Sequence, residues 1–96
     1  MNSPTSNIRQ EVFFSGRVQG VGFRYTTSRI AGGYQVVGFV RNLPDGRVHL
    51  VVEGDSAEIA RFVTEIEEQM AGNIRSADKS IKTAATGEFL SFEIRS

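Results

Sequence analysis

The sequence has no cysteine and only one histidine among its 96 residues. Without cysteine there is no disulfide framework and no thiolate chemistry, and one histidine cannot make up the usual structural zinc sets. Redox and zinc roles are therefore not expected. No run approaches the roughly 18 apolar residues of a membrane span, and the opening MNSPTSNIRQ lacks the hydrophobic segment of a secretory signal. A cytoplasmic location without membrane contact is expected. Net charge is missing too: 11 Lys and Arg balance 11 Asp and Glu. A nucleic-acid-binding domain is usually basic overall, so no nucleic-acid partner is expected.

The length suits one compact domain and is too short for two independent cores. Apolar residues at 40% and charged residues at 23% sit near globular averages and argue against disorder. The balanced charge conceals an asymmetry. Residues 1–54 carry Arg9, Arg17, Arg24, Arg29, Arg41 and Arg47 against Glu11, Asp45 and Glu53, a local +3, and residues 55–96 carry the compensating −3. A positive half suits a small anion, although an accidental asymmetry of a solvated surface reads equally well.

Residues 1–8 read as a flexible polar tail, leaving one domain over 9–96. QEVFFSGRV brings strand formers to a stop at Gly16. From Phe23 to about Gly33 the spacing predicts a helix with Phe23, Ile30 and Ala31 on one face, ended by Gly32 and Gly33. YQVVGFVRN and VHLVVEG flank LPDGR, a strong hairpin signal. Val48, Leu50 and Val52 then face the core, which leaves His49 on the opposite face as ordinary sheet surface, with a ligand role as the minor reading. DSAEIARFVTEIEEQMAG is the clearest helix: Asp55 and Glu58 resemble a capping box, Ile59, Phe62, Val63, Ile66 and Met70 form an apolar stripe, and Gly72 closes it. Weaker strands are expected at Ser80–Thr83 and in FLSFEIR, where Leu90, Phe92 and Ile94 alternate. The order βαββαβ, with one extra short strand, predicts an α+β ferredoxin-like split βαβ sandwich: an antiparallel sheet with two helices on one face.

The stretch FSGRVQGVGFR places Gly16, Gly20 and Gly22 between the first strand and the first helix and ends at Arg24. Such a loop can turn successive N–H groups inward as a nest, to which the helix adds its unpaired amides and positive end. Arg24 in the first helical turn is mildly disfavoured by the dipole, while its planar fork can hold two phosphate oxygens. By spacing alone the loop is either an anion cradle or a tight turn. It fits neither the P-loop nor the dinucleotide fingerprint. In the split arrangement strands one and two run the same way, so Asn42 at the end of strand two neighbours the loop. Taken alone, Asn42 reads first as a residue opening the turn before Pro44-Asp45-Gly46.

GRVQGVGFR (16–24) followed by GFVRNLPDGRVHLVVEG (38–54) resembles the two signatures of the acylphosphatases, and the likeness runs over about residues 9–95. The resemblance implies a ferredoxin-like fold and hydrolysis of a carboxyl-phosphate anhydride without metal or cofactor. It implies phosphate binding by the loop amides of Arg17, Val18, Gln19, Gly20, Val21 and Gly22 and by Arg24, with Asn42 orienting the attacking water. The expected partners are a small acyl phosphate and, as bound anion, inorganic phosphate or sulfate; the expected state is a monomer. The sequence departs from the family at Gln35, where many members carry glycine, at Gly32 and Gly33, which soften the helix end, and at Phe39, often tryptophan. Two other readings stay open: an RNA-binding module using sheet aromatics, faintly suggested by GFV, and a regulatory domain that holds an anion without turning it over.

Overall fold

The computed structural model describes residues 7–96. The elements run β1 (Asn7–Gly16), α1 (Phe23–Ala31), β2 (Val36–Asn42), β3 (Val48–Asp55), α2 (Ser56–Gln69), β4 (Ile74–Ala84) and β5 (Phe92–Arg95). They form the expected α+β ferredoxin-like architecture, with five strands in the order β4-β1-β3-β2-β5. Neighbours pair antiparallel except β2 and β5, which run parallel and make the sheet mixed. Of the tail expected over 1–8, residues 1–6 lie outside the described residues. Asn7 and Ile8 already pair with Asp55 and Gly54 in β3.

Alternation in the central strands sends Val12, Phe14, Val40, Val48, Leu50 and Val52 to the helix side, where each is fully buried. The α2 stripe meets them: Ile59, Phe62, Val63, Ile66 and Met70 all belong to the same core cluster. Asp55 caps α2 by accepting from the N–H groups of Ala57 and Glu58, both at 3.1 Å. The reciprocal half of the capping box does not form. Glu58 instead accepts from the Gln35 N–H at 3.0 Å and from Arg61 at 2.6 Å, tying α2 to the chain entering β2. Helix α2 ends at Gln69 with Met70 as its C-cap, short of Gly72. Helix α1 stops at Ala31, and Gly32 beyond it keeps right-handed geometry, so Gly32 is not a left-handed cap.

The C-terminal region departs most from expectation. Strand β4 spans 11 residues rather than a short stretch near Ser80, and nearly all of it is exposed. It is an edge strand held to β1 by main-chain pairing with two register shifts, so it needs no apolar alternation. β5 is limited to Phe92–Arg95. Leu90, expected to alternate with Phe92 and Ile94, precedes the strand and is 97% exposed. Residues 85–91 cross the sheet face opposite the helices and bring Phe89 onto Phe39 and Val51 in a second, smaller cluster.

Glu53, buried on that face, fastens the crossing segment. It accepts from the Thr86 hydroxyl at 2.7 Å, from the Thr86 and Gly87 N–H groups at 3.0 Å, and from Arg9 at 3.4 Å. Burial is the largest influence on its carboxyl and pushes the pKa up, but the Thr86, Gly87 and Arg9 donors together outweigh it and hold the pKa below the ordinary value.

His49, expected on open sheet surface, is buried on the same face. It stacks on Phe13 at 4.4 Å, accepts at Nδ1 from Arg41 Nε at 3.2 Å, and meets Glu11 through Nε2 at 2.9 Å. Accepting at Nδ1 places the proton of the neutral ring on Nε2, which then donates to Glu11. Guanidinium groups cover the aromatics here: Arg47 lies 4.7 Å from the Phe13 ring centre and Arg95 lies 4.2 Å from that of Phe39. The open aromatic platform that an RNA-binding sheet would present is therefore filled by the protein itself.

Candidate active site

The loop after β1 must turn sharply into α1 within six residues. Gly20 and Gly22 make this possible at φ +76° and +78°, and a Cβ at either would meet nothing within 4 Å. The requirement is conformational and leaves open space beside the loop. Gly22 is the N-cap of α1, has no side chain to cap with, and no acidic residue follows in the first turn. The positive end of α1 is thus left without a counter-charge of its own.

The loop is braced at both shoulders. On one side the Arg17 N–H donates to the Asn73 carbonyl at 2.8 Å, and the Asn73 amide returns a bond to the Arg17 carbonyl at 3.1 Å. On the other, Gln19 Nε2 donates to the carbonyls of Leu43 and Arg47 at 2.8 and 2.9 Å, clamping the loop to the β2–β3 hairpin. That hairpin is closed by Leu43 N–H to Arg47 O at 2.8 Å and stiffened by the Asp45 carboxylate on Arg47. Between the braces, the N–H groups of Val18, Gln19, Gly20, Val21 and Gly22 donate to no backbone acceptor among the described residues. The Arg17 amide is spent on Asn73, so the row of available donors begins at Val18.

A cavity of about 210 Å³ opens beside this row. Val18, Gly20, Gly22, Arg24 and Asn42 line it, so the split topology brings the loop and the end of β2 together as expected. Gln19 and Val21 do not line it, and Arg17 lies at the brace. Arg24, half-buried in the first turn of α1, is the only charged side chain on the wall. Its Nη1 donates to the Arg95 carbonyl at 3.2 Å. The parallel pairing of β5 with β2 carries Arg95 to this end of the sheet.

Asn42 ends β2 opposite Val48. Its Oδ1 is buried without a hydrogen-bond partner. An unpaired buried amide oxygen costs about 1–3 kcal/mol, and Asn42 itself lines the cavity, so a turn of its side chain would offer that oxygen to a donor there. Amide donors and one guanidinium on one side, with the Asn42 side chain on the other, can hold a tetrahedral anion and a water at once. The sequence had no signal for the Asn73 and Gln19 braces or for the Arg95 carbonyl. Ile94, also on the wall, was detectable only through its alternation with Phe92.

The ferredoxin-like sheet with a glycine loop between its first strand and first helix defines the class, and comparison with known proteins narrows it. The family model for acylphosphatases matches residues 10–94. The acylphosphatase of Archaeoglobus fulgidus is 36% identical over 88 residues, covering 91% of this chain and 97% of that protein. That of Syntrophobacter fumaroxidans is 43% identical over 89 residues, covering 90% and 89%. The crystal structure of acylphosphatase from Bacillus subtilis superimposes with a TM-score of 0.82 at 26% identity, over 93% of this chain and 99% of that one. The chain belongs to the acylphosphatase family, and its activity is that of an acylphosphatase, a hydrolase.

Proposed function

We propose that the chain hydrolyses acyl phosphates by direct attack of water on phosphorus, with no metal or cofactor. The loop amides from Val18 to Gly22 and the Arg24 guanidinium hold the phosphoryl oxygens, and Asn42 aims the water. Water forms the new P–O bond, the bond to the acyl oxygen breaks, and its electron pair leaves with the carboxylate. An acyl phosphate dianion plus water yields a carboxylate and dihydrogen phosphate, which balances atoms and charge.

Phosphoryl transfer through a loose transition state asks chiefly for positioning and for charge stabilisation on the equatorial oxygens. Amide donors and a guanidinium supply both. The leaving carboxylate is a weak base and needs no strong general acid, which suits a wall without Asp, Glu, His or Cys. Asn42 accepts a hydrogen bond from water but is no base at neutral pH; the proton passes to the phosphoryl group of the substrate. The observation that carries this reading is that Asn42, whose Oδ1 has no hydrogen-bond partner, lines the same cavity as Arg24.

The test is turnover of benzoyl phosphate in EDTA and ¹⁸O-labelled water. The expected result is chelator-resistant hydrolysis with the label in phosphate. Label in the carboxylate would place the attack on carbon and refute the assignment. A single domain over 9–96, a cytoplasmic location and a monomeric state complete the proposal. The family match over 10–94 supports the first, and gel filtration at the expected 10.6 kDa tests the last.

A further inference from the structure

The sheet face turned away from the helices carries guanidinium groups of two kinds. Arg9 pairs with Glu11, Glu53 and Glu88, and Arg47 pairs with Asp45. Arg41 and Arg95 make no ion pair among the described residues. They are register partners on the parallel strands β2 and β5, so two like charges stand side by side. Like charges directly opposite one another on a sheet are destabilising. The carboxylates of this face are engaged elsewhere: Glu11 meets His49, Glu53 fastens Thr86 and Gly87, and Asp45 holds Arg47. Glu93, the register partner of Phe39, forms no ion pair with either arginine among the described residues.

Both side chains are held in place. Arg41 donates from Nε to His49 Nδ1 at 3.2 Å, which orients its fork. Its guanidinium lies 5.8 Å from the centre of the Phe39 ring, and that of Arg95 lies 4.2 Å from the same centre. A guanidinium over a ring keeps the N–H groups of its edge available to an acceptor. Arg41 is half-buried and Arg95 exposed, so the pair is reached from solvent. We propose that Arg41 and Arg95 form a second anion site, and that its ligand is a phosphate dianion, either free or carried by a phosphomonoester. Two planar forks suit a tetrahedral oxyanion, and a dianion neutralises both charges where a carboxylate neutralises one. Strand alternation separates this site from the cavity at the loop, which Asn42 and Ile94, the chain neighbours of Arg41 and Arg95, line from the helix side. The site does not depend on the hydrolase reading.

The experiment titrates the ¹⁵N-labelled chain with inorganic phosphate and, separately, with glycerol 3-phosphate, at an ionic strength held constant with sodium chloride. The arginine side-chain Nε–H signals are followed together with the loop amides. The wild type and Arg24→Ala should both show saturable shifts of the Arg41 and Arg95 signals, with a dissociation constant on the order of 1 mM. Arg41→Gln keeps a donor for His49, and Arg95→Gln changes an exposed side chain, so both variants are expected to fold. Each should weaken binding here by about tenfold or more, while the amides from Val18 to Gly22 respond as in the wild type. A response to inorganic phosphate alone identifies the free ion as the ligand, and a response to both compounds identifies the phosphoryl group; either supports the site. Shifts that sodium chloride reproduces equally, shifts that never saturate, or undiminished binding in both variants would overturn it. A silent loop with these arginine signals intact would overturn the hydrolase reading alone.

Discussion

Gln19 offers the sharpest test of how the loop is held. Its side-chain amide donates to two carbonyls of the facing hairpin at 2.8 and 2.9 Å, across 24 and 28 residues of chain, in partly buried surroundings. Gln19→Ala removes both bonds and the only side-chain link described between the loop and the segment that follows Asn42. Each bond is worth about 1 kcal/mol net, and the freed carbonyls recover some hydration, so the expected loss is about 1–2 kcal/mol. For a domain of this size that lowers the melting temperature by roughly 5–12 °C. The functional loss should be larger than the stability loss suggests. A displacement of about 1 Å between positioned groups can cost on the order of a hundredfold in rate. Gln19→Glu keeps the length but turns the donor into an acceptor facing two carbonyl oxygens beside an anion site, so it should lose more than alanine. Thermal unfolding followed by circular dichroism, with kcat/KM and phosphate inhibition on the same samples, measures both effects. A Gln19→Ala protein that melts within about 2 °C of wild type and keeps its phosphate affinity would show that the brace does not organise the site.

Asn42→Ala should abolish turnover while inorganic phosphate still binds, because it deletes the water acceptor and leaves the cradle; equal loss of both in a kinetic and calorimetric comparison would make Asn42 a structural residue. Gly22→Ala forces a Cβ into left-handed geometry where it meets no neighbour, so the cost is conformational, about 1–2 kcal/mol by chemical denaturation, with a weakened phosphate affinity. Glu53 has a depressed pKa in the folded chain, so its contribution to stability is complete above the ordinary glutamate value of 4.5 and is lost as the pH falls through the folded value. Glu53→Gln should flatten that acid limb of the pH–stability curve and expose Phe89; an unchanged acid limb would remove Glu53 as the fastening of the crossing segment.

What the sequence revealed and what it hid divide along physical lines. The α2 stripe and the Pro44-Asp45-Gly46 turn carry local signals, a period of 3.6 and a turn chemistry, and both form as expected. The glycine loop was legible for the same reason, since positive φ at Gly20 and Gly22 asks for glycine. β4 was underestimated because an exposed edge strand is held by main-chain pairing, which leaves no pattern in its side chains. The burial of His49 and Phe89 depends on partners more than 30 residues away, Glu11 for the one and the Glu53–Thr86 fastening for the other. The Gln19 brace was equally hidden, because its acceptors are carbonyls, which every residue has. The spent amide of Arg17 follows from Asn73, a turn residue that nothing in the sequence ties to the loop.

Catalysis by this fold depends on the β1–α1 loop receiving a phosphoryl group with Arg24 beside it. Titration of the ¹⁵N-labelled chain with inorganic phosphate tests this most directly. The expected result is saturable shifts centred on the amides of Val18, Gln19, Gly20, Val21 and Gly22, lost in Arg24→Ala. Shifts centred elsewhere, or a loop response that survives intact in Arg24→Ala, would contradict it.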